Sequence, residues 1–400
     1  MRQVEIAIVG GGLAGSCAAA MLGRADHEVV LIDPNPVHRP DFRCEKLSPS
    51  QIRLLRRIGL ESLVLPHATR NSDLWVARFG RLVDRMPVVQ YGILYQDLVN
   101  AVRAGIPERV PVLAGTVAEI KPSGDRQLVT LRSGEEIEAR LVVLASGLNW
   151  ALRRSLGFTA RRLSPAHSTA IGFNIAPLER SRFPFDSLTY YGEKPRDRIS
   201  YLTLFRLGQG VRANLMVYWN CDDPLLQQFR LDPKATLCRA LPGLPALLGP
   251  FRIIEPVRVR PVDLYVAENL DQPGLVLIGD AYATSCPAAG TGTEKVLSDV
   301  ARLCSVHIPR WLATEGMGAA KIAAFYADGR KQAVDRNSEQ AAFALKAVTV
   351  ETGPAWQARR WARFLGRWSK GLLRRALAVA ITKLPATHIV RQIGAAQLRK

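Results

Sequence analysis

The stretch Val4-Glu5-Ile6-Ala7-Ile8-Val9-Gly10-Gly11-Gly12-Leu13-Ala14-Gly15, with Asp33 eighteen residues beyond its last glycine, decides the fold class of this chain. Val4 to Val9 has the length and apolar content of a buried strand, the residues after Gly12 form an Ala-rich helix, and Glu28 to Asp33 supplies a second strand. The order is that of a βαβ unit. In such a unit Gly10 permits the tight turn, Gly12 lets the backbone approach a pyrophosphate, and Gly15 allows close packing of helix on strand. The free amides at the start of the helix hold phosphate oxygens. A carboxylate at the end of the second strand, here Asp33, accepts hydrogen bonds from ribose hydroxyls. Together these elements point to a dinucleotide site, without separating FAD from NAD.

The run Ile6 to Leu22 also imitates a secretory signal. Only Arg2 supplies positive charge ahead of it, Glu5 adjoins it, and its glycines weaken a signal helix, so the nucleotide reading is preferred. The wider composition agrees: 400 residues, 48% hydrophobic and 22% charged, describe two or three packed domains. Cys17, Cys44, Cys221, Cys238, Cys286 and Cys304 lie far apart with no CxxC pair. That spacing argues against a zinc ribbon, a redox dithiol or a disulfide scaffold and fits a reducing cytoplasm. The six histidines are scattered, so no metal site is expected. No run approaches the roughly 18 apolar residues of a membrane-spanning helix.

A second signature follows the apolar run Leu275 to Ile278. Gly279-Asp280-Ala281-Tyr282-Ala283-Thr284-Ser285-Cys286-Pro287-Ala288-Ala289-Gly290-Thr291-Gly292, with Asp299 and Leu303 beyond it, resembles the GD…P..G.G segment of the flavoprotein monooxygenases typified by para-hydroxybenzoate hydroxylase and the ubiquinone-biosynthesis hydroxylases. Arg43 with Leu47 and then Ile58-Gly59-Leu60 is similar to the family's R…L……LGL segment. The resemblance implies FAD as cofactor. It places Asp280 on the ribityl chain, Arg43 near the ribose or pyrophosphate, and the helix after Gly290 and Gly292 at flavin N1 and the C2 carbonyl, where a helix N-terminus stabilises the charge of reduced flavin. The cofactor contacts expected on this basis are Gly10, Gly12, Leu13, Ala14, Gly15, Asp33, Arg43, Gln96, Val117, Gly279, Asp280, Gly290, Thr291 and Gly292. Pro287 and Gly290 are expected to position the flavin through the backbone, with no side-chain acid or base assigned.

The fold the resemblance implies is α/β: a Rossmann-like FAD-binding domain of the para-hydroxybenzoate hydroxylase fold (1–70, 91–160 and 270–330), a β-sheet substrate domain (71–90 and 161–269), and a basic helical C-terminal region (331–400). The activity it implies is insertion of one oxygen atom of O2 into an aromatic or lipophilic small molecule through a flavin C4a-hydroperoxide. A flavin-dependent reductase, a halogenase or a non-catalytic FAD-binding protein would use the same scaffold. Ile308-Pro309-Arg310-Trp311 does not supply the halogenase WxWxIP motif, and no YxWxFP-like segment of the prenyl-chain reductases is found. Three positions depart from the pattern. Ser146 stands in place of the aspartate that serves FAD and NAD(P)H in relatives, Ala283 in place of a histidine, and Glu294 in place of an asparagine. The electron source therefore stays open between NAD(P)H and reduced flavin from a separate reductase. Tyr95-Gln96-Asp97-Leu98 occupies the place of an Arg-x-x-Leu, which is how Gln96 enters the set.

Between the signatures, Ala170 to Ile175, Ile199 to Leu207, Arg212 to Trp219 and Val257 to Val266 read as strands of a mixed or antiparallel sheet. Phe205, Tyr218 and Trp219 are candidate pocket aromatics, with core packing as the competing reading. Cys286 precedes Pro287, and a free buried cysteine is ordinarily inert. The net charge is +19, and eleven Lys or Arg with no Asp or Glu lie between Thr352 and Lys400. There Trp361, Phe364, Leu365, Trp368 and Leu372 share helical spacing. Three readings stay open for this segment: a helix on the anionic inner face of a membrane, a dock for an acidic carrier or CoA-type substrate, or a helix packed over the flavin domain. Nucleic acid is not expected, since no binding module accompanies the charge.

Overall fold

The strand that opens the chain runs from Arg2 to Val9 and pairs in parallel with Val29–Asp33 on one side and Glu136–Leu144 on the other. Both faces of this strand are covered, so its residues from Ile6 to Val9 are uniformly buried rather than alternating. The computed structural model describes residues 1–43 and 45–382; Cys44 and the end of the basic tail lie outside them. The seven-stranded sheet runs in the order Val112–Ala114, Val29–Asp33, Arg2–Val9, Glu136–Leu144, Gln127–Leu131, Val117–Lys121, and Leu275–Leu277 pairs in parallel with the second half of Glu136–Leu144. This last pairing puts the second signature beside the first.

Helix Leu13–Arg24 crosses one face of this sheet. A Cβ at Gly15 would collide with the Gly10 carbonyl oxygen, so the helix can approach only because Gly15 has no side chain. Its Ala-rich flank packs with Tyr95–Ala104 and Gly292–Arg302 in one apolar cluster. A smaller cluster fills the opposite face.

The middle of the chain forms a second seven-stranded sheet in the order Phe251–Glu268, Thr159–Pro177, Gly210–Val217, Ile199–Leu207, Ser187–Tyr191, Leu74–Arg78, Arg81–Met86. All neighbours are antiparallel except Ser187–Tyr191 with Leu74–Arg78. Two of the expected strands are far longer than their apolar runs: Ala170 to Ile175 sits inside Thr159–Pro177, and Val257 to Val266 inside Phe251–Glu268. Their charged ends are held by pairing with each other rather than by burial. Three short helices that the strand pattern does not foreshadow, Pro224–Leu231, Pro233–Ala240 and Leu244–Leu248, interrupt the region; Asp223 and Asp232 cap the first two. These helices cover one face, on which Phe173, Leu202, Leu204, Leu215, Val217 and Trp219 are core. The opposite face, carried by alternate residues, looks toward the nucleotide domain.

Helices Gly329–Val350 and Pro354–Thr382 complete the described chain. The last helix does not cover the flavin domain, as one reading of the sequence has it. It lies on the outer strand Arg81–Met86 of the second sheet, with Gly371 against the Val83 carbonyl and Arg374 donating to Asp84 at 2.6 Å.

Candidate active site

A single cavity of about 1050 Å³ runs between the two sheets. Its nucleotide end begins at Gly10, whose φ of +104° is unstrained only for glycine and whose missing Cβ would meet the Ala145 carbonyl. Gly12, Leu13 and Ala14 line the cavity where helix Leu13–Arg24 starts, and Gly12, at its N-cap, has no side chain to cap that start. Asp33 also lines it; its carboxylate accepts from Gly11 N at 2.6 Å and Asn35 N at 2.9 Å, which ties the second strand to the glycine turn. Tyr95 closes the side, its hydroxyl accepting from Leu13 N at 3.4 Å. Burial pushes the Tyr95 phenol up to about 12, so it stays protonated at neutral pH.

Farther along, Arg43 donates to Asp280 at 2.6 Å and to Asp41 at 2.5 Å, and Arg260 reaches from the second sheet to Asp41 at 3.0 Å. Burial opposes the Asp41 carboxylate, but the two guanidiniums outweigh it and hold its pKa below the usual value. Cys286, Pro287, Gly290 and Gly292 line the opposite wall. Gly290 is left-handed, at φ +69°, and leads into helix Gly292–Arg302, whose start likewise lacks a side-chain cap. Two uncapped helix starts therefore border one cavity. Each presents free N–H groups and the positive end of its dipole there.

The sheet end is lined by Ala170, Tyr201, Thr203, Asn214 and Met216, with Phe42, Glu45 and Lys46 facing them. Arg212 grips the Glu45 carboxylate with two bonds, at 2.7 and 2.9 Å, and Asn214, its amide turned to satisfy the site, donates to the same carboxylate at 3.2 Å. Burial nevertheless pushes Glu45 above the usual carboxylate range.

The comparisons with known proteins agree with this geometry. Residues 3–102 match the family model described as an FAD binding domain. Over 329 residues the chain is 27% identical to the 3-demethoxyubiquinol 3-hydroxylase of Escherichia coli (strain K12), covering 77% of this chain and 80% of that relative. The chain carries an FAD-binding domain and is similar to flavoprotein hydroxylases over most of its length. The 6-hydroxynicotinate 3-monooxygenase of Bordetella bronchiseptica is 24% identical over 338 residues, 76% of this chain and 82% of its own. The p-nitrophenol 4-monooxygenase PnpA from Pseudomonas putida DLL-E4 shares the fold, with a TM-score of 0.75 at 18% identity over 96% of this chain and 98% of that one.

The residues along the cavity fit FAD. Besides the two helix starts, two buried polar atoms on the cavity wall, His38 Nε2 and Ser146 Oγ, have no hydrogen-bond partner within the protein. Such atoms are costly unless a ligand or water satisfies them. A side chain at Gly290 or Gly147 would enter open space, and one at Gly12 would come no closer than 3.9 Å to Tyr95, so the backbone is left bare along the cavity.

Of the residues expected to touch the cofactor, Gly10, Gly12, Leu13, Ala14, Asp33, Arg43, Val117, Asp280, Gly290 and Gly292 line the cavity, as does Pro287. Gly15, Gly279 and Thr291 are not on its wall and shape the turns around it: Gly279 takes φ +62°, and Thr291 bonds Ser338 at 2.7 Å. Gln96 is also off the wall, because the helix that carries it turns Tyr95 inward instead. Phe205, Tyr218 and Trp219 do not line the cavity. Trp219 falls on the core face of its sheet and donates to the Asp197 carbonyl, while Phe205 and Tyr218 are buried away from the cavity wall. Cys286 does line it, as a buried thiol whose pKa burial raises.

Sequence reasoning misses three arginines. Arg103 binds the Gly11 carbonyl at 2.9 Å and the Asn35 carbonyl at 2.6 Å, bracing the glycine turn from two turns beyond Tyr95. Arg153, fully buried, joins the Gly147 and Asn149 carbonyls to that of Ala281 and so ties the middle segment to the second signature. Arg260 is the third. Only Arg153 leaves a trace in the sequence, as part of the basic pair after Trp150.

Proposed function

We propose that this chain hydroxylates a small aromatic or lipophilic molecule held between the second sheet and the flavin. The observation that carries this reading is the continuity of the cavity: one space joins the nucleotide turns to the sheet face of Tyr201, Thr203, Asn214 and Met216. Bound FAD supplies the redox chemistry, accepting two electrons and delivering them to O2, so that one oxygen atom enters the substrate and the other leaves as water.

The protein's part is to bind, orient and exclude water. Gly10, Gly12 and the amides after them would hold the pyrophosphate, Asp33 the ribose, and Asp280, fixed by Arg43, the ribityl chain. The start of helix Gly292–Arg302, with Pro287 and Gly290 ahead of it, would set the ring position and stabilise negative charge there. Phe42, Tyr201 and Met216 supply apolar and aromatic contact for the substrate, and Thr203 and Asn214 supply polar contact. Ser146 stands where the family pattern has an aspartate, which leaves NAD(P)H and a separate supplier of reduced flavin both open as the electron source.

The test is reconstitution with FAD followed by a library of phenols, aminobenzoates and quinol precursors. Products heavier by one oxygen atom, with label from isotopic O2, support the reading. Reoxidation that yields only hydrogen peroxide with every member of the library overturns it. Rapid mixing with NADH or NADPH, against chemically reduced flavin, identifies the electron source.

A further inference from the structure

An amphipathic helix ordinarily buries its apolar stripe against the core. Helix Pro354–Thr382 does the reverse. The face it turns to the protein is a mixed line: Arg360 donates to the Val348 and Glu351 carbonyls, Arg367 to the Tyr191 hydroxyl at 2.9 Å, and Arg374 to Asp84 at 2.6 Å, while Gly371 lets the backbones meet. Phe364 joins this line through an edge contact with Phe79.

The apolar stripe points elsewhere. Trp361, Leu365, Trp368 and Leu372, at i, i+4, i+7 and i+11, are 48%, 48%, 43% and 49% exposed, and Leu373 beside them is 61% exposed. Trp361 stacks on Phe79, itself exposed, which widens the patch. Contiguous exposed apolar surface of this kind marks a binding surface. Arg359, Arg363 and Lys370, at i, i+4 and i+11, form an exposed row along another side of the same helix. No Asp or Glu occurs from Thr352 to Lys400.

We propose that this helix docks the protein on an anionic lipid surface, with the Trp361–Leu372 stripe in the headgroup boundary and the Arg359–Lys370 row against lipid phosphates. Three features select lipid over a folded partner. Tryptophans and leucines stand on one side with cations beside them, the segment carries no acid, and tryptophan prefers the membrane interface. No helix among the described residues is long and apolar enough to cross a membrane, so the attachment is to the surface. This inference does not depend on the hydroxylase reading.

The experiment uses the full-length holoprotein and vesicles of phosphatidylcholine alone or mixed in equal parts with phosphatidylglycerol. The expected result is co-sedimentation with the anionic vesicles at low salt, at least about tenfold weaker on phosphatidylcholine alone. The double variant Leu365→Ser/Trp368→Ser should lose binding at low salt, while Arg359→Gln/Arg363→Gln/Lys370→Gln should bind more weakly and lose most of its salt dependence. Flavin content and circular dichroism confirm that each variant is folded. Wild-type protein that stays in solution with anionic vesicles overturns the proposal. So does an apolar-stripe variant that sediments like wild type, or one whose only change is conversion of a dimer to a monomer.

Discussion

Arg43 and Asp280, 237 positions apart in sequence, are joined by a hydrogen bond of 2.6 Å on the wall of the cavity. The contact links the segment after the first βαβ unit to the second signature. Asp41 extends it through Arg260 to the second sheet, so one chain of charges spans both sides of the cavity.

Removing the acid from this chain should weaken cofactor binding without unfolding the protein. Asp280→Ala is expected to reduce FAD affinity about tenfold to a hundredfold, the range for loss of a charge-assisted hydrogen bond. Fluorescence titration of the apoprotein measures it.

The two glycines of the first turn should separate by phenotype. Gly15→Val places a side chain against the Gly10 carbonyl and should lower the melting temperature sharply. Gly12→Val would add a side chain that meets only the Tyr95 hydroxyl, at 3.9 Å from its Cβ, and should fold but fail to take up flavin. Melting curves and the flavin-to-protein absorbance ratio distinguish them.

The Glu45–Arg212 pair is buried on both sides. Arg212→Met leaves a carboxylate without its partner and should cost about 3–5 kcal/mol by denaturant unfolding. The double variant Glu45→Leu/Arg212→Met should recover most of that loss, because neither charge then remains to be desolvated.

His167 is fully buried against Tyr218 and Phe343, and burial, with Lys346 nearby, lowers its pKa to about 4. Below its ordinary value of 6.5 the unfolded chain takes up a proton that the folded chain refuses. Its contribution to stability should therefore fall between pH 6.5 and about 4 and level off below that, by on the order of 1–3 kcal/mol. Urea unfolding of wild type and His167→Phe across this window should show a shallower acid slope in the variant.

Local patterns are legible where one element does one job. The strand Ile199–Leu207 matches its apolar run at both ends, and the glycine turn follows from the spacing of Gly10, Gly12 and Gly15. The long strands Thr159–Pro177 and Phe251–Glu268 are not legible at full length, because their ends are stabilised by each other rather than by an apolar face. Of the two readings for Phe205, Tyr218 and Trp219, core packing holds at Trp219, which falls on the covered face of its sheet, and none of the three lines the cavity. Alternation along a strand separates the two faces, but not which residues of one face border the cavity.

The sequence by itself determined the nucleotide-binding beginning of this protein, since a strand, bare turn and helix are set by residues close together in the chain. It also determined the charge of the terminal helix. Only the tertiary structure decided which arginines brace the turns, which side chains face the cavity, and that the terminal helix turns its apolar side outward. Those outcomes depend on surfaces brought together across hundreds of residues, where packing and charge pairing, rather than local propensity, choose the partners.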